Sequence, residues 1–420
     1  MKRRLAILVL LIGLLPSCAT AQWYRFPGSG KAASGRPAQK PETADSTVQP
    51  AQVPQPADTV RQEEEPQDVT PAIDIPETVN VSLLLPLGTG SAVPSANFLE
   101  FYSGALLAAR NLGGDGIELN LGCYDISDYA AAPTAWTLSQ SDVIIGPVAP
   151  KDIMTELEIC PEDKWIVSPL DPRAASLPAY LRVVQATSTA EDQIDDMVDW
   201  LIEEKTPESS VIVVCNSSEE LPESGRRIMS RLEENGIRYS TVSYNLLEGL
   251  EILEKYETVL ETIGRMQFVI ASESEAFIGD VVRNAGLLKY RGKDLQLYCT
   301  SRIRSFETID SETFFNIGLR VSGSYFIDYE SPEVKSFVLA YRALFGSEPG
   351  NFAFSGYDLV QYFTRLCKTY GRGWKDYMHE FRWRGLQSDF RFGDEPEKVG
   401  RSNKAVRRTV YNNDYTITLL

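Results

Sequence analysis

Apolar positions along this chain alternate between short solid runs and stripes at helical spacing. Residues 79–85 hold Val79, Val81, Leu83, Leu84 and Leu85, the density expected of a strand covered on both faces. After the loop Pro86-Leu87-Gly88-Thr89-Gly90, the residues Phe98, Phe101, Tyr102, Ala105, Ala109 and Leu112 share one helical face. They predict a helix over 97–112, stopped by Gly113-Gly114. Further strands are predicted at 117–124, at 143–145 before Gly146-Pro147, and at 165–167 before Ser168-Pro169.

The alternation then starts again. Thr189 is placed to cap a helix whose apolar face is Ile194, Met197, Val198, Leu201 and Ile202. Strands are expected at 211–215, 239–244, 267–271 and 295–299, with helices at 225–235 and 277–284. Residues 319–329 read as a strand or an extended crossover, and 332–345 and 357–370 as helices. Residues 406–411 and 415–420, split by Asn412-Asn413-Asp414, read as a closing hairpin. Two successive βα series predict an α/β protein of two lobes, each a parallel sheet flanked by helices. Right-handed crossovers put the loops of each lobe at the carboxyl ends of its strands, where open α/β sheets bind ligands.

The first 78 residues have a different pattern. Lys2, Arg3 and Arg4 precede an apolar run over 5–15 and then small residues, which reads as a signal peptide over 1–21. Ala19-Thr20-Ala21 suits cleavage before Gln22, whereas Leu15-Pro16-Ser17-Cys18 has the form of a lipobox with Cys18 as the acylated residue. Both products are extracytoplasmic, in the periplasm or cell envelope, soluble or lipid-anchored. Residues 22–78 are rich in Pro, Gln, Ala, Ser and Glu and short of large apolar side chains, so they read as a disordered tether.

Charge and histidine content narrow the function. The formal net charge of −17 opposes nucleic acids and anionic lipid faces, leaving a lipid anchor as the route to a membrane. The single histidine, His379, rules out a His-based zinc cluster. It lies among Trp374, Tyr377, Phe381 and Trp383 and reads as packing, so neither catalysis nor a cofactor is expected. Of the cysteines after Cys18, Cys215 and Cys299 fall in strand runs and read as core, while Cys123 and Cys160 are the candidate disulfide.

Taken in order, the motifs have a family likeness. "VNVSLLLPL" followed by "FLEFYSGALLAARNL", then "DVIIGPVAP", "WIVSP" and "YLRVVQATSTAEDQ", resemble the first lobe and first crossover of the type 1 periplasmic-binding-protein superfamily. Within it, the resemblance is to the branched-chain amino-acid-binding and receptor ligand-binding group. "VIVVCN", "SGRRIMSRLEENGI", "MQFVIAS", "DLQLYCTS" and "VSGSYFID" follow the second lobe, and "FSGYDLVQYF", "SDFRFG" and "VYNNDYTITLL" the return. The resemblance implies lobe I over 79–185 plus 327–385 and lobe II over 186–326 plus 386–420. Three crossovers, near 184–187, 325–328 and 384–388, join lobes that close on a ligand.

Departures from that pattern bear on the ligand. Where amino-acid-binding members present small hydroxyl residues and backbone N–H groups to a carboxylate, this chain has Pro147-Val148-Ala149-Pro150-Lys151 and Leu170-Asp171-Pro172-Arg173. Proline removes donors, and Asp171 repels a carboxylate unless Lys151 or Arg173 offsets it. Leu221-Pro222-Glu223 stands where an aromatic clamp is expected. The candidate ligand-binding residues are Thr89, Ser91, Lys151, Asp171 and Arg173 on first-lobe loops, with Asn216, Ser218, Ser272, Glu273, Ser301 and Arg302 on second-lobe loops. The resemblance implies a solute-binding or sensing protein for a small polar ligand, with a transporter permease as partner. The alternative is an envelope interaction module resembling the lipoprotein activators of penicillin-binding proteins, with a cell-wall synthase as partner.

Overall fold

The computed structural model describes residues 24–25, 74–128, 130–248, 256 and 264–420. The leader, Cys18 and most of the expected tether lie outside the described residues. The first βα series comprises β1 (Tyr24–Arg25), β2 (Thr78–Leu85), α1 (Ala96–Gly114), β3 (Glu118–Asp125), α2 (Ala135–Ser139), β4 (Val143–Ile145), α3 (Pro150–Ile159), β5 (Ile166–Ser168) and β6 (Val183–Gln185). The second comprises α4 (Ala190–Glu203), β7 (Ser210–Asn216), α5 (Glu223–Glu234), β8 (Tyr239–Tyr244), β9 (Met266–Ala271), α6 (Glu275–Tyr290), β10 (Leu295–Thr300), α7 (Ser311–Ile317) and β11 (Arg320–Gly323). The return is α8 (Pro332–Phe345), α9 (Asn351–Tyr370), the short hairpin β12 (Trp383–Arg384) and β13 (Asp389–Phe390), then β14 (Arg401–Ser402), β15 (Arg407–Tyr411) and β16 (Ile417–Leu419).

These strands form two seven-stranded sheets, ordered β1-β3-β2-β4-β5-β6-β14 and β16-β15-β11-β10-β9-β7-β8. Their centres are parallel, but their edges are not all so. β1 runs antiparallel on β3, and the closing hairpin adds β15 antiparallel to β11 and β16 antiparallel to β15. β15 and β16 are antiparallel because a hairpin turn, the one the sequence predicts over 406–420, returns the chain at once with no crossover helix.

Strand alternation divides each core. In the first sheet Val81, Leu83, Leu121, Ile145, Val167 and Val184 pack against α1 and α9, while Leu84, Ile144, Ile166 and Val183 face Leu138 of α2, Ile153 of α3 and Leu177. In the second, Ile212, Val214, Phe268 and Leu297 meet α6 and α7, and Val211, Val213, Val269 and Tyr298 meet α4 and α5. Burial on both faces is what makes these runs almost wholly apolar in sequence.

The chain passes between the sheets three times. It leaves β6 for α4 through residues 186–189 and leaves β11 for α8 through 324–331. The third passage differs from the sequence expectation of 384–388. β14 still pairs in parallel with β6, and Phe390 and Phe392 belong to the first-lobe core. The chain joins the second sheet only at Arg407, so residues 386–402 stay with the first lobe. The loop of Gly385 reads as a crossover in sequence, but it is the turn of the β12–β13 hairpin. The expected Cys123–Cys160 bond is absent: all five described cysteines are free thiols, and burial pushes Cys123 up to about 12 and Cys160 to about 11.

Candidate ligand cleft at the hinge

Two buried polar side chains tie the passages together. Asn403, 2% exposed, donates from Nδ2 to the carbonyls of Ala186 and Asp389, at 2.9 and 2.8 Å. It also accepts at Oδ1 from the backbone N–H groups of Arg391 and Ala405, both at 3.0 Å. The first and third passages are thereby joined. Arg407 donates to the carbonyls of Phe326 (2.6 Å), Leu386 (2.9 Å) and Gly385 (2.6 Å), and to Oδ1 of Asp389 (2.6 Å). It joins the second passage to the third. A guanidinium suits this position because it presents five donors in a fixed plane and stays charged when buried.

Asp358, on the inner face of α9, fixes the neighbouring loop. Its Oδ1 accepts from the N–H of Leu386 at 2.7 Å, and its Oδ2 from Gln387 at 2.8 Å and Ser388 at 3.1 Å. Burial raises its pKa to about 6, against the opposing pull of those three N–H groups and Arg407. A Cβ at Gly385 would lie 2.6 Å from the Asp358 carboxyl carbon and 2.5 Å from the Ser388 carbonyl oxygen, so the turn needs glycine.

Between the first and second passages lies a cavity of about 450 Å³. Its walls come from the carboxyl ends of β5, β6 and β11, the first turns of α4 and α9, and the loop that Asp358 holds. This is where open α/β sheets place ligands. Pro169, Leu170, Phe352, Leu359 and Phe390 supply apolar surface, and Ser188, Gln193, Ser324, Tyr325, Asn351 and Gln387 supply hydrogen-bonding groups. Ser188 is 3% exposed and Gln387 4%, yet neither Ser188 Oγ nor Gln387 Oε1 has a hydrogen-bond partner. Buried polar atoms left so are costly, by about 1–3 kcal/mol each, unless a bound molecule or water satisfies them.

None of the residues expected from sequence lines this cavity. Thr89 donates through N and Oγ1 to Oδ2 of Asp125, both at 2.7 Å, and Ser91 Oγ donates to the carbonyls of Gly88 and Val93. Asp125 also accepts from Leu87, Gly88 and Ser127. Burial pushes its pKa up, but hydrogen bonds from Ser127 and Thr89 outweigh it and hold the carboxyl well below the usual range. Lys151 is exposed on the first turn of α3. Asp171 caps the turn after β5 and is gripped by Arg173, whose hydrogen bonds lower its pKa. Asn216 accepts from the N–H of Ser218, and Ser272 from the N–H of Ser274. Glu273 pairs with Ser224 and Arg302, which hold its pKa down.

Asp171 lies between the lining residues Leu170 and Pro172, and Ser301 is one hydrogen bond from the lining. The Ser301 Oγ donates at 2.7 Å to Gln193, which is itself a lining residue. Apart from Gln387 and Ser388, the lining polar groups stand in the motifs "ATSTAEDQ", "GSYF" and "NFAFSGYD", which read as crossover and helix signatures. The available signal was the concentration of Ser, Thr, Gln and Asn at the two lobe crossovers. His379 lies 3.7 Å from Glu380 at the surface, away from the cavity.

No family model matches this chain, and no curated protein matches it. Solved structures do match in fold. One, described as a branched-chain amino acid ABC transporter protein from Rhodospirillum rubrum, is 15% identical with a TM-score of 0.57, over 82% of this chain and 100% of that one. An ABC-type branched-chain amino acid transporter protein from Rhodopseudomonas palustris is 11% identical with a TM-score of 0.53, over 81% and 95% of the two chains. A periplasmic ligand-binding protein from Burkholderia xenovorans is 11% identical with a TM-score of 0.50, over 82% and 94%. These likenesses, with the two sheets and three passages, define the fold as the type 1 periplasmic-binding class. Among the described residues no helix is long and apolar enough to cross a membrane.

Proposed function

We propose that this chain is an extracytoplasmic solute-binding or sensing protein that closes its two lobes on a small polar ligand at the hinge. One observation carries the reading: a cavity of about 450 Å³, bordered by the first two passages and the 387–390 segment, is lined by Ser188 and Gln387, each of which carries a buried oxygen that the chain leaves unpaired. Its size falls in the range of small-molecule sites, and its apolar walls with a few placed polar groups have their usual chemistry. Ligand contacts to both lobes stabilise a closed arrangement by their differential affinity for it. The signal-like leader and the fold support an extracytoplasmic location and delivery to an ABC transporter permease. No observation favours the penicillin-binding-protein activator alternative.

The test is a thermal-shift screen of the chain against small metabolites, followed by calorimetric titration of any stabilising compound. A true ligand at ~100 times its dissociation constant adds about 2.7 kcal/mol to stability. Ser188→Ala is expected to weaken that ligand's binding without lowering the melting temperature of the free protein. Binding that ignores Ser188→Ala would place the ligand elsewhere and remove the cavity from the account.

A further inference from the structure

The lining of the hinge cavity restricts the charge of what fits there. Among its described lining residues the only ionisable acid or base with a charge near neutral pH is Asp358. That carboxylate is 1% exposed, and both its oxygens are occupied by the Leu386, Gln387 and Ser388 N–H groups. Those donors take up most of its accepting capacity, so it is engaged by the chain's own backbone rather than standing unpaired in the cavity.

Two helices begin at the cavity, and their N-termini would be the remaining attraction for an anion. At each, a carboxylate of the chain already stands by the N-cap and offsets the positive end of the helix. Asp192 forms the capping box of α4, its Oδ2 accepting from the Thr189 N–H at 2.9 Å and the Thr189 hydroxyl at 2.7 Å. At α9 the Glu100 carboxylate accepts from the N–H of Gly350. In the β5 loop, Pro169 and Pro172 have no N–H to offer, and the Arg173 N–H is taken by the Asp171 carboxylate.

What the cavity presents is neutral: hydroxyls of Ser188, Ser324 and Tyr325, amides of Gln193, Asn351 and Gln387, and the rings of Phe352 and Phe390. The unpaired Gln387 Oε1 accepts only, whereas Ser188 Oγ both donates and accepts. From this we infer that the cavity takes an uncharged molecule with hydroxyl or amide groups along one edge and an apolar face, the chemistry of a sugar or a nucleoside. A zwitterionic amino acid is disfavoured, because the lining offers neither of its charges an opposite charge that the chain has not already engaged. The inference rests on the cavity being the ligand site, as proposed above.

The experiment is a titration of the full chain with three sets of probes. The neutral set is N-acetylglucosamine, cellobiose and adenosine, the zwitterionic set leucine and serine, and the anionic set glutamate and succinate. Each binding probe is then repeated on Ser188→Ala, with Gln387→Glu as a second variant that keeps the shape and adds charge. The expected result is saturable binding by a neutral probe, weakened about tenfold or more by Ser188→Ala. A sugar or adenosine as the binder distinguishes the two sources of the same chemistry. Leucine or glutamate binding that Ser188→Ala weakens would overturn the charge argument and leave the cleft reading standing. A neutral probe indifferent to both variants would overturn the inference by moving the site. Silence from all three sets would overturn the inference together with the binding reading.

Discussion

At the scale of single residues, two carboxylates have opposite pH behaviour. Asp125 organises the loop after β2, and its pKa is held below the ordinary range. Its contribution to stability is present above the ordinary carboxylate pKa of about 4 and is lost as pH falls through the depressed value. Asp358 has a pKa raised to about 6, so the folded chain holds a proton between pH ~4 and ~6 that the unfolded chain releases. Its contribution is whole below about 4 and is lost as pH rises through about 6. Asp125→Asn should therefore cost most near neutral pH and progressively less in acid. Asp358→Asn should cost about 2 kcal/mol, since it turns an NH₂ group toward backbone N–H donors, and more at pH 4 than at pH 7. Urea unfolding of both variants across pH 3–8 checks this; parallel pH trends for the two would refute it. Neither role was legible in sequence. Asp125 and Asp358 ended up as anchors because remote strands and loops brought N–H groups to them, and Thr89 and Ser91 had their hydroxyls taken up by their own loop.

At the scale of elements, most of the reading was local and held. The helix expected over 332–345 is α8, and Thr189 does cap α4 with a complete capping box. Helical stripes and apolar runs are short-range signals, so they survive without knowledge of the tertiary structure. Ends were less accurate: the helix expected over 357–370 begins at Asn351, and α2 and α3 escaped notice as short helices between loops. Thr189→Ala should destabilise the chain by about 1 kcal/mol and loosen the first turn of α4, which hydrogen exchange of that segment would report. The crossing of α1 and α9 is a sharper test. A Cβ on Gly104 would lie 1.9 Å from the Ala353 carbonyl oxygen, and one on Gly356 2.0 Å from that of Phe101. The two backbones touch there, so Gly104→Ala must part the helices. A loss of about 1–3 kcal/mol in urea unfolding is expected, whereas an unchanged midpoint would contradict the close crossing.

For the whole molecule, the alternating pattern indicated two sheets and a hinge, but it misplaced the last passage. Residues 386–402 read as second-lobe chain, yet β14 completes the first sheet, a pairing some 200 residues distant that no local pattern encodes. That same segment carries Gln387 and Ser388 into the cavity, which is why the site sits at the hinge rather than on the outer loops. Arg407 spans the second and third passages from a site only 2% exposed, so Arg407→Met should both destabilise the fold and widen the spread of lobe orientations. The central claim is that the two lobes move about these passages and close over the cavity. It is tested most directly by single-molecule energy transfer between one dye at Ser127 and another at Ser218, on loops of opposite lobes. The account predicts that the distance shifts to a shorter population when a compound stabilises the protein in thermal-shift screening, and that Ser188→Ala weakens the shift. A single distance, unchanged by a compound that demonstrably binds, would contradict it.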